Sequence, residues 1–133
     1  IGPCLAKRHE ADSVDEVDYV MSFEELGAFM VAYDIDVANC SEKELNHEVT
    51  KYGRGFAQAG GVQAAVVNAI GDKYSNIHIE GLDKKNQALL KSMAKKPDAQ
   101  FVEVMACDGG CINGPCSLAP LTLAKRQIKK VLE

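Results

Sequence analysis

Apolar residues recur along this sequence at two spacings, one typical of helices and the other of covered strands. Helical spacing predicts four helices, which begin near Phe23, Val62, Lys84 and Leu121. Short apolar runs predict three strands, over 17–21, 77–81 and 101–105. The third run is almost wholly apolar, as expected for a strand covered on both faces in a parallel sheet.

Capping signals set the predicted helix ends. Ser22 and Glu25 form a capping-box pattern at the start of the first helix. Ser41 and Glu44 repeat this pattern and predict a more polar helix that extends to about Lys51. Helix breaks are predicted at Gly53–Gly55, Gly71 and Pro97.

Strands that alternate with helices predict an α/β fold, a parallel-sheet layer with flanking helices. In such folds, sites form beyond the carboxyl ends of the strands. The segment 107–116 follows the third predicted strand directly and contains three cysteines. Position and composition therefore both indicate a site there.

The chain has 133 residues, of which 47% are hydrophobic, enough for one domain with a core. It begins at Ile1, and a candidate active-site residue already stands at the fourth position. Because native termini fray, we expect the chain to be a piece of a longer protein. The apolar runs are far shorter than a membrane span, so no membrane association is expected.

Charge is distributed unevenly around a net charge of −4. Residues 9–42 contain ten acidic groups and no Lys or Arg, whereas the last helix is basic. Such blocks usually indicate solvated faces, and a docking surface for an electron-transfer partner is the less favoured alternative. Nucleic-acid binding is excluded because there is no net basic charge and aromatic residues are few.

Cysteines cluster beside glycines near the carboxyl end of the chain. Cys107 and Cys111 are separated by three residues that include Gly109 and Gly110. Such a pair can bind two irons of one cubane cluster, and the glycines can bring N–H groups near the sulfurs. A redox disulfide, structural thiols or a zinc site remain open, although those sites more often have two intervening residues.

The segment 101–116, FVEVMACDGGCINGPC, resembles the last motif of the iron-only hydrogenases. In that family a strand ending in Met-Ala-Cys leads into Gly-Gly-Cys and Asn-Gly. The resemblance implies that Cys107 and Cys111 are metal ligands of a 4Fe–4S cluster. It further implies that Cys111 bridges to a diiron subcluster with CO, CN and a bridging dithiolate. Met105 is then a candidate catalytic residue beside the diiron unit, or simply part of the core.

Residues 2–12, GPCLAKRHEAD, resemble the middle motif of the same family. On their own, Cys4 could be any thiol and Lys7 any surface lysine. The resemblance makes Cys4 a cubane ligand and Lys7 the cation that donates a hydrogen bond to a cyanide of the diiron unit, a role that suits a compact ammonium group. Glu10 lies in the same motif and is a weaker candidate.

A glycine pair, Gly60 and Gly61, stands at the start of the second predicted helix. Unpaired N–H groups at a helix start attract anions such as a reduced cluster with cyanide ligands. Close helix packing explains small residues equally well. The resemblance adds a cofactor-binding role, because the family's Gly-Gly-Val segment lines the cluster cavity.

The chain also departs from the family pattern. It lacks the first motif, which supplies the fourth cubane ligand, so the isolated piece is not expected to assemble the whole site. Gly2 and the run Pro115-Cys116-Ser117 differ from most catalytic members and resemble a hydrogen-sensing branch. Neither Cys40 nor Cys116 matches a family ligand, and Cys40 is interpreted as a small buried hydrophobe.

The resemblance implies that residues 1–133 are a carboxyl-terminal fragment of a hydrogenase domain in the cytoplasm of an anaerobic prokaryote. The implied activity is reversible oxidation of molecular hydrogen to protons and electrons, with hydrogen sensing as a second hypothesis. Implied partners are an electron carrier or attached sensory domain and the remainder of the hydrogenase domain. The alternatives are an iron–sulfur assembly protein of the same fold without a diiron unit, and a simple zinc or thiol protein.

Overall fold

A computed structural model of the chain describes residues 1–44 and 49–133. The chain divides into two compact units. The described part of the first unit comprises residues 1–44 and 114–119, and the second unit comprises 49–113 and 120–133.

The described part of the first unit contains two helices, α1 (Ala6–Ala11) and α2 (Phe23–Ala32), and a 3₁₀ turn at Val37–Asn39. The capping box predicted for α2 is confirmed. The hydroxyl of Ser22 accepts from the N–H of Glu25 at 3.2 Å, and the Glu25 carboxylate accepts from the N–H of Ser22 at 2.8 Å. These reciprocal bonds satisfy two N–H groups that the first turn of a helix leaves unpaired.

The strand predicted over 17–21 is wrong, since these residues have no regular secondary structure. Tyr19 is 88% exposed, so the apolar run is not covered on both faces. The Met21 carbonyl accepts a hydrogen bond from the N–H of Gly2 at 2.9 Å, but no ladder forms with any described segment. A strand requires a neighbour for its backbone groups, which an apolar run cannot supply by itself.

The polar helix predicted to begin after Ser41 is not present in its described part. Residues 41–44 and 49–50 are not helical, and 45–48 lie outside the described residues. Helix α3 (Lys51–Arg54) begins instead after Thr50, whose hydroxyl accepts from the N–H of Gly53 at 3.1 Å. The break predicted at Gly53–Gly55 is therefore misplaced, because this cap holds Gly53 inside the helix. A 3₁₀ turn follows at Gly55–Ala57.

The second unit has the predicted mixed α/β architecture, with a parallel pair of strands, β1 (Asn76–Glu80) and β2 (Phe101–Met105). Their register runs from Asn76 opposite Phe101 to Glu80 opposite Met105. The crossover between them contains α5 (Lys84–Met93), and α4 (Gly61–Ile70) precedes β1. The described sheet has two strands where three were predicted.

Helix ends in the second unit follow their local signals. Gly71, with a positive φ of 84°, ends α4 as predicted. The carboxylate of Asp83 caps α5 by accepting from the N–H of Asn86 at 2.7 Å. Helix α5 ends at Met93, short of the predicted Lys96, and α6 (Leu121–Leu132) begins where predicted.

Burial is modest for a chain of this composition. Only Ile79 and Met93 are buried apolar residues among those described, at 5% and 6% exposure. No helix in the described ranges has the length and apolar character needed to cross a membrane. The small core reflects two strands and their helices rather than a complete sheet.

Candidate functional site

Cys107 and Cys111 flank a tight turn just beyond the carboxyl end of β2. The turn contains Gly109 and Gly110, which have positive φ values of 82° and 88°. The N–H of Gly110 donates to the Cys107 carbonyl at 3.1 Å, and a 3₁₀ turn then begins at Cys111. This geometry puts both cysteines at the ends of one compact loop, at the edge of the sheet where the sequence predicts a site.

Close packing explains why glycines occupy this turn. A Cβ on Gly110 would lie 2.5 Å from the backbone N of Ala59, which cannot move without disturbing the preceding turn. A Cβ on Gly109 would lie 2.6 Å from a side-chain methyl of Leu121, a more movable neighbour. Both glycines also adopt a backbone conformation that costs other residues energy.

Two further hydrogen bonds anchor the loop. The carboxylate of Glu80, the last residue of β1, accepts from the N–H of Gly109 at 2.7 Å. The Gly109 carbonyl accepts from the N–H of Ala59 at 3.2 Å. Both glycine N–H groups therefore have partners within the protein, the Glu80 carboxylate and the Cys107 carbonyl. An approach of these two groups to the sulfurs stays a prediction.

The start of α4 carries an anion that the sequence analysis missed. Glu103, at 5% exposure, accepts from the N–H groups of Val62 and Gln63 at 3.3 and 3.2 Å. The N–H of Gly61 donates to the Gln58 carbonyl at 3.1 Å. Since Gly60 has no side chain to cap the helix, the carboxylate from β2 takes that role. The one available signal was a single acidic residue in an otherwise apolar strand.

Gly61 serves close packing, one of the two interpretations that the sequence left open for the glycine pair, whereas a Cβ on Gly60 would lie 3.7 Å from the His78 ring. A Cβ on Gly61 would lie 1.9 Å from the carbonyl oxygen of Gly55. With the N–H groups of Gly61, Val62 and Gln63 all paired, the helix start does not present unpaired donors there to an external anion. A cofactor-lining role for the pair stays a prediction that rests on the absence of side chains.

Cys4 and Lys7, the two candidates of the amino-terminal motif, line the same cavity in the first unit. Its volume is about 210 Å³, and Ile1, Val17, Tyr19 and Val20 contribute to its walls. Cys4 precedes α1 and is half-buried, whereas Lys7 lies in the first turn of α1. The Lys7 ammonium pairs with the Glu10 carboxylate at 2.6 Å, with both side chains about 60% exposed.

Met105 is half-buried as the last residue of β2, and its carbonyl accepts from the N–H of Gly81 at 3.0 Å. The position is compatible with the predicted role at the cluster and with simple packing. Cys40 is exposed, with its thiol donating to the Asp36 carbonyl at 3.3 Å. The interpretation of Cys40 as a buried hydrophobe is therefore wrong.

All five cysteines lie within the described residues, and none is in a disulfide. Across residues 1–44 and 49–133, no three His, Cys, Asp or Glu side chains are grouped so as to hold a metal ion. The second unit by itself provides Cys107 and Cys111, two soft donors that suit iron or zinc. A ligand set completed by Cys4 of the first unit stays a prediction.

Comparison with known proteins relates the chain to one family. Residues 1–115 match the family described as "Iron only hydrogenase large subunit, C-terminal domain". Iron hydrogenase 1 of Clostridium pasteurianum is 36% identical over 73 residues, which cover 53% of this chain and 13% of that protein. The matched region is thus a small part of the relative's length. Because the family match covers most of the chain, the chain belongs to the family formed by the carboxyl-terminal domain of the iron-only hydrogenase large subunit.

Proposed function

We propose that residues 1–133 form the carboxyl-terminal part of a hydrogenase domain that reversibly oxidises molecular hydrogen to protons and electrons. The observation that carries this proposal is the cysteine turn beyond β2, in which Cys107 and Cys111 flank a glycine pair of positive φ. Its position at the carboxyl end of a parallel strand is where such folds build their sites. Family membership supplies the reaction class.

The proposed donors are thiolates, the ligands that hold iron–sulfur clusters. Cys107, Cys111 and Cys4 would bind three irons of a 4Fe–4S cubane, and the remainder of the domain would supply the fourth ligand. Cys111 would also bridge to a diiron subcluster with CO, CN and a bridging dithiolate. When bound, this group supplies the iron at which hydrogen reacts and the path by which electrons leave.

The charge of Lys7 and its place in the wall of the Cys4 cavity support its proposed role. Its ion pair with Glu10 is exposed, and such pairs contribute only about 0–1 kcal/mol. In the proposed site, the ammonium would donate to a cyanide from the wall of the Cys4 cavity. Met105 would pack against the same group, and Gly60 and Gly61 would leave room for it.

Exposed apolar side chains support the remainder of the hydrogenase domain as a partner. Val31 and Tyr33 of the first unit are 78% and 68% exposed. Exposed apolar patches mark surfaces that other protein covers. Electrons would pass to a separate carrier or an attached domain, and we propose a cytoplasmic location because thiolate ligands require a reducing compartment.

Three other functions compete with turnover. Gly2 and Cys116 favour a hydrogen sensor, in which an attached domain reads the redox state of the cluster. The cysteine turn would serve equally well in an iron–sulfur assembly protein without a diiron unit, since nothing in its geometry depends on that unit. A zinc or thiol protein is the simplest alternative for two cysteines.

The test is to produce the complete parent chain anaerobically with the diiron maturation machinery and to record its infrared spectrum. Carbonyl and cyanide bands that shift under hydrogen are expected, and they should be lost in Cys111→Ser but retained in the matched Cys40→Ser. Hydrogen turnover then separates enzyme from sensor. Iron and sulfide without such bands would favour the assembly protein, and zinc without iron would overturn the proposal.

A further inference from the structure

Cys116 lies beside Cys4 in the first unit. The N–H of Cys116 donates to the carbonyl oxygen of Pro3 at 3.0 Å. That oxygen belongs to the peptide group that links Pro3 to Cys4, so the bond joins the backbones of the two cysteines. Standard bond lengths then put their Cα atoms within about 7 Å of each other. Disulfides usually span Cα separations of about 4.4–6.8 Å.

Both backbone segments are held where they meet. The N–H of Ser117 donates to the carbonyl of buried Gly114 at 2.9 Å, which closes a turn around Cys116. The N–H of Gly2 donates to the Met21 carbonyl at 2.9 Å, which fixes the segment before Cys4. The proximity of the two cysteines is therefore part of the local fold of this unit.

Small reagents can reach this pair. Cys4 lines the cavity of about 210 Å³, and both cysteines are half-buried rather than enclosed. Neither is in a disulfide. Cys40, the third cysteine of the unit, is exposed and donates its thiol to Asp36, which makes it a natural control.

We propose that Cys4 and Cys116 form a dithiol that a low-molecular-weight disulfide, such as oxidised glutathione, converts to a Cys4–Cys116 disulfide. One thiolate attacks the reagent's S–S bond and displaces the first glutathione thiolate. The other cysteine thiolate then attacks the mixed disulfide and displaces the second glutathione thiolate. The protein loses two electrons and two protons, and the broken reagent disulfide gains them as two glutathione thiols.

The consequence for the site rests on the proposed function. If Cys4 is a cubane ligand, the disulfide removes it from the ligand set, so that oxidation blocks cluster loading and reduction restores it. This assigns Cys116 a role as the oxidation partner of a ligand.

The experiment oxidises the reduced 133-residue chain with oxidised glutathione, traps remaining thiols and maps peptides by mass spectrometry. A linked peptide joining Cys4 to Cys116 is expected, with two glutathiones released per link. In Cys116→Ser the link should vanish, and Cys4 should keep one glutathione and release one. Cys40→Ser should behave like the unsubstituted chain.

Disulfides that join Cys4 or Cys116 mainly to other cysteines would overturn the proposal. Glutathione attached to both Cys4 and Cys116, with no disulfide between them, would also overturn it. Iron uptake by the complete parent chain, which carries the remaining ligand, measured before and after the same oxidation, separates this result from the proposed function. Iron uptake that falls on oxidation and is restored by dithiothreitol would support both the dithiol and the ligand role of Cys4. A Cys4–Cys116 link with unchanged uptake would support the dithiol and remove Cys4 from the ligand set.

Discussion

Glu80 and Gly109 are joined by a hydrogen bond of 2.7 Å from the Gly109 N–H to the Glu80 carboxylate. Glu80 ends β1, and Gly109 lies between the two cysteines that follow β2. The bond therefore ties the cysteine turn to the neighbouring strand, at a point where the strand ladder has ended. Bonds to a charged acceptor are stronger than neutral ones, so we expect this contact to help hold the turn.

Glu80→Ala should lower the free energy of unfolding by about 1–3 kcal/mol, because it leaves the buried N–H of Gly109 without its partner. Chemical unfolding of the reduced chain measures this change. Glu16→Ala is the matched control, since that side chain is exposed and should change stability by less than about 0.5 kcal/mol. Equal effects of the two substitutions would contradict a role for Glu80 in holding the turn.

Glu103→Ala should destabilise the chain through the start of α4. Its buried carboxylate accepts from Val62 and Gln63, and losing both bonds is expected to cost about 1–3 kcal/mol. Hydrogen exchange of the Val62 and Gln63 amides should accelerate more than exchange at the far end of α4. Glu103→Gln retains one acceptor oxygen and should recover part of the protection. Uniform acceleration along the helix would point to global destabilisation instead.

Local signals predicted much of the fold. The capping box at Ser22, the end of α4 at Gly71 and the bounds of β2 all depend on residues within a few positions of each other. The failed predictions depend on partners elsewhere. The run 17–21 lacks a neighbouring strand, and Glu103 caps α4 by accepting from Val62, which lies 41 residues earlier in the chain.

The same contrast between local signals and distant partners applies to the site. The sequence located the cysteine turn because its glycines and thiols are contiguous. It could not show that the turn's N–H groups bond to Glu80 and Cys107, since the first of these partners comes from another strand. Similarly, Cys4 and Cys116 lie near opposite ends of the sequence, so no local pattern could predict that they are close in the fold.

Gly110→Ala should destabilise the cysteine turn more than Gly81→Ala does. Both glycines have positive φ, which costs an alanine about 1–2 kcal/mol. At Gly81 the added Cβ would make an ordinary contact of 3.8 Å with Asp108, whereas at Gly110 it would meet the Ala59 backbone at 2.5 Å. The clash should add about 1–3 kcal/mol. Chemical unfolding of both variants tests this difference, and equal losses would mean that the turn can shift away from Ala59.

Acid should weaken the start of α2 through Glu25. The N–H of Ser22, then the Ser22 hydroxyl and Arg8, hold the pKa of Glu25 below its usual value of 4.5. A carboxyl whose folded pKa is depressed stabilises the fold above its unfolded pKa and loses that contribution as pH falls through the folded pKa. The stability difference between the unsubstituted chain and Glu25→Gln should therefore be full near neutral pH and shrink below pH 4.5. Unfolding measured across this pH range checks the direction of the stability change. NMR titration of the Glu25 carboxyl checks that its pKa is lowered. Ser22→Ala and Arg8→Gln should each raise the pKa of Glu25, and an unchanged pKa in both variants would contradict the assigned causes.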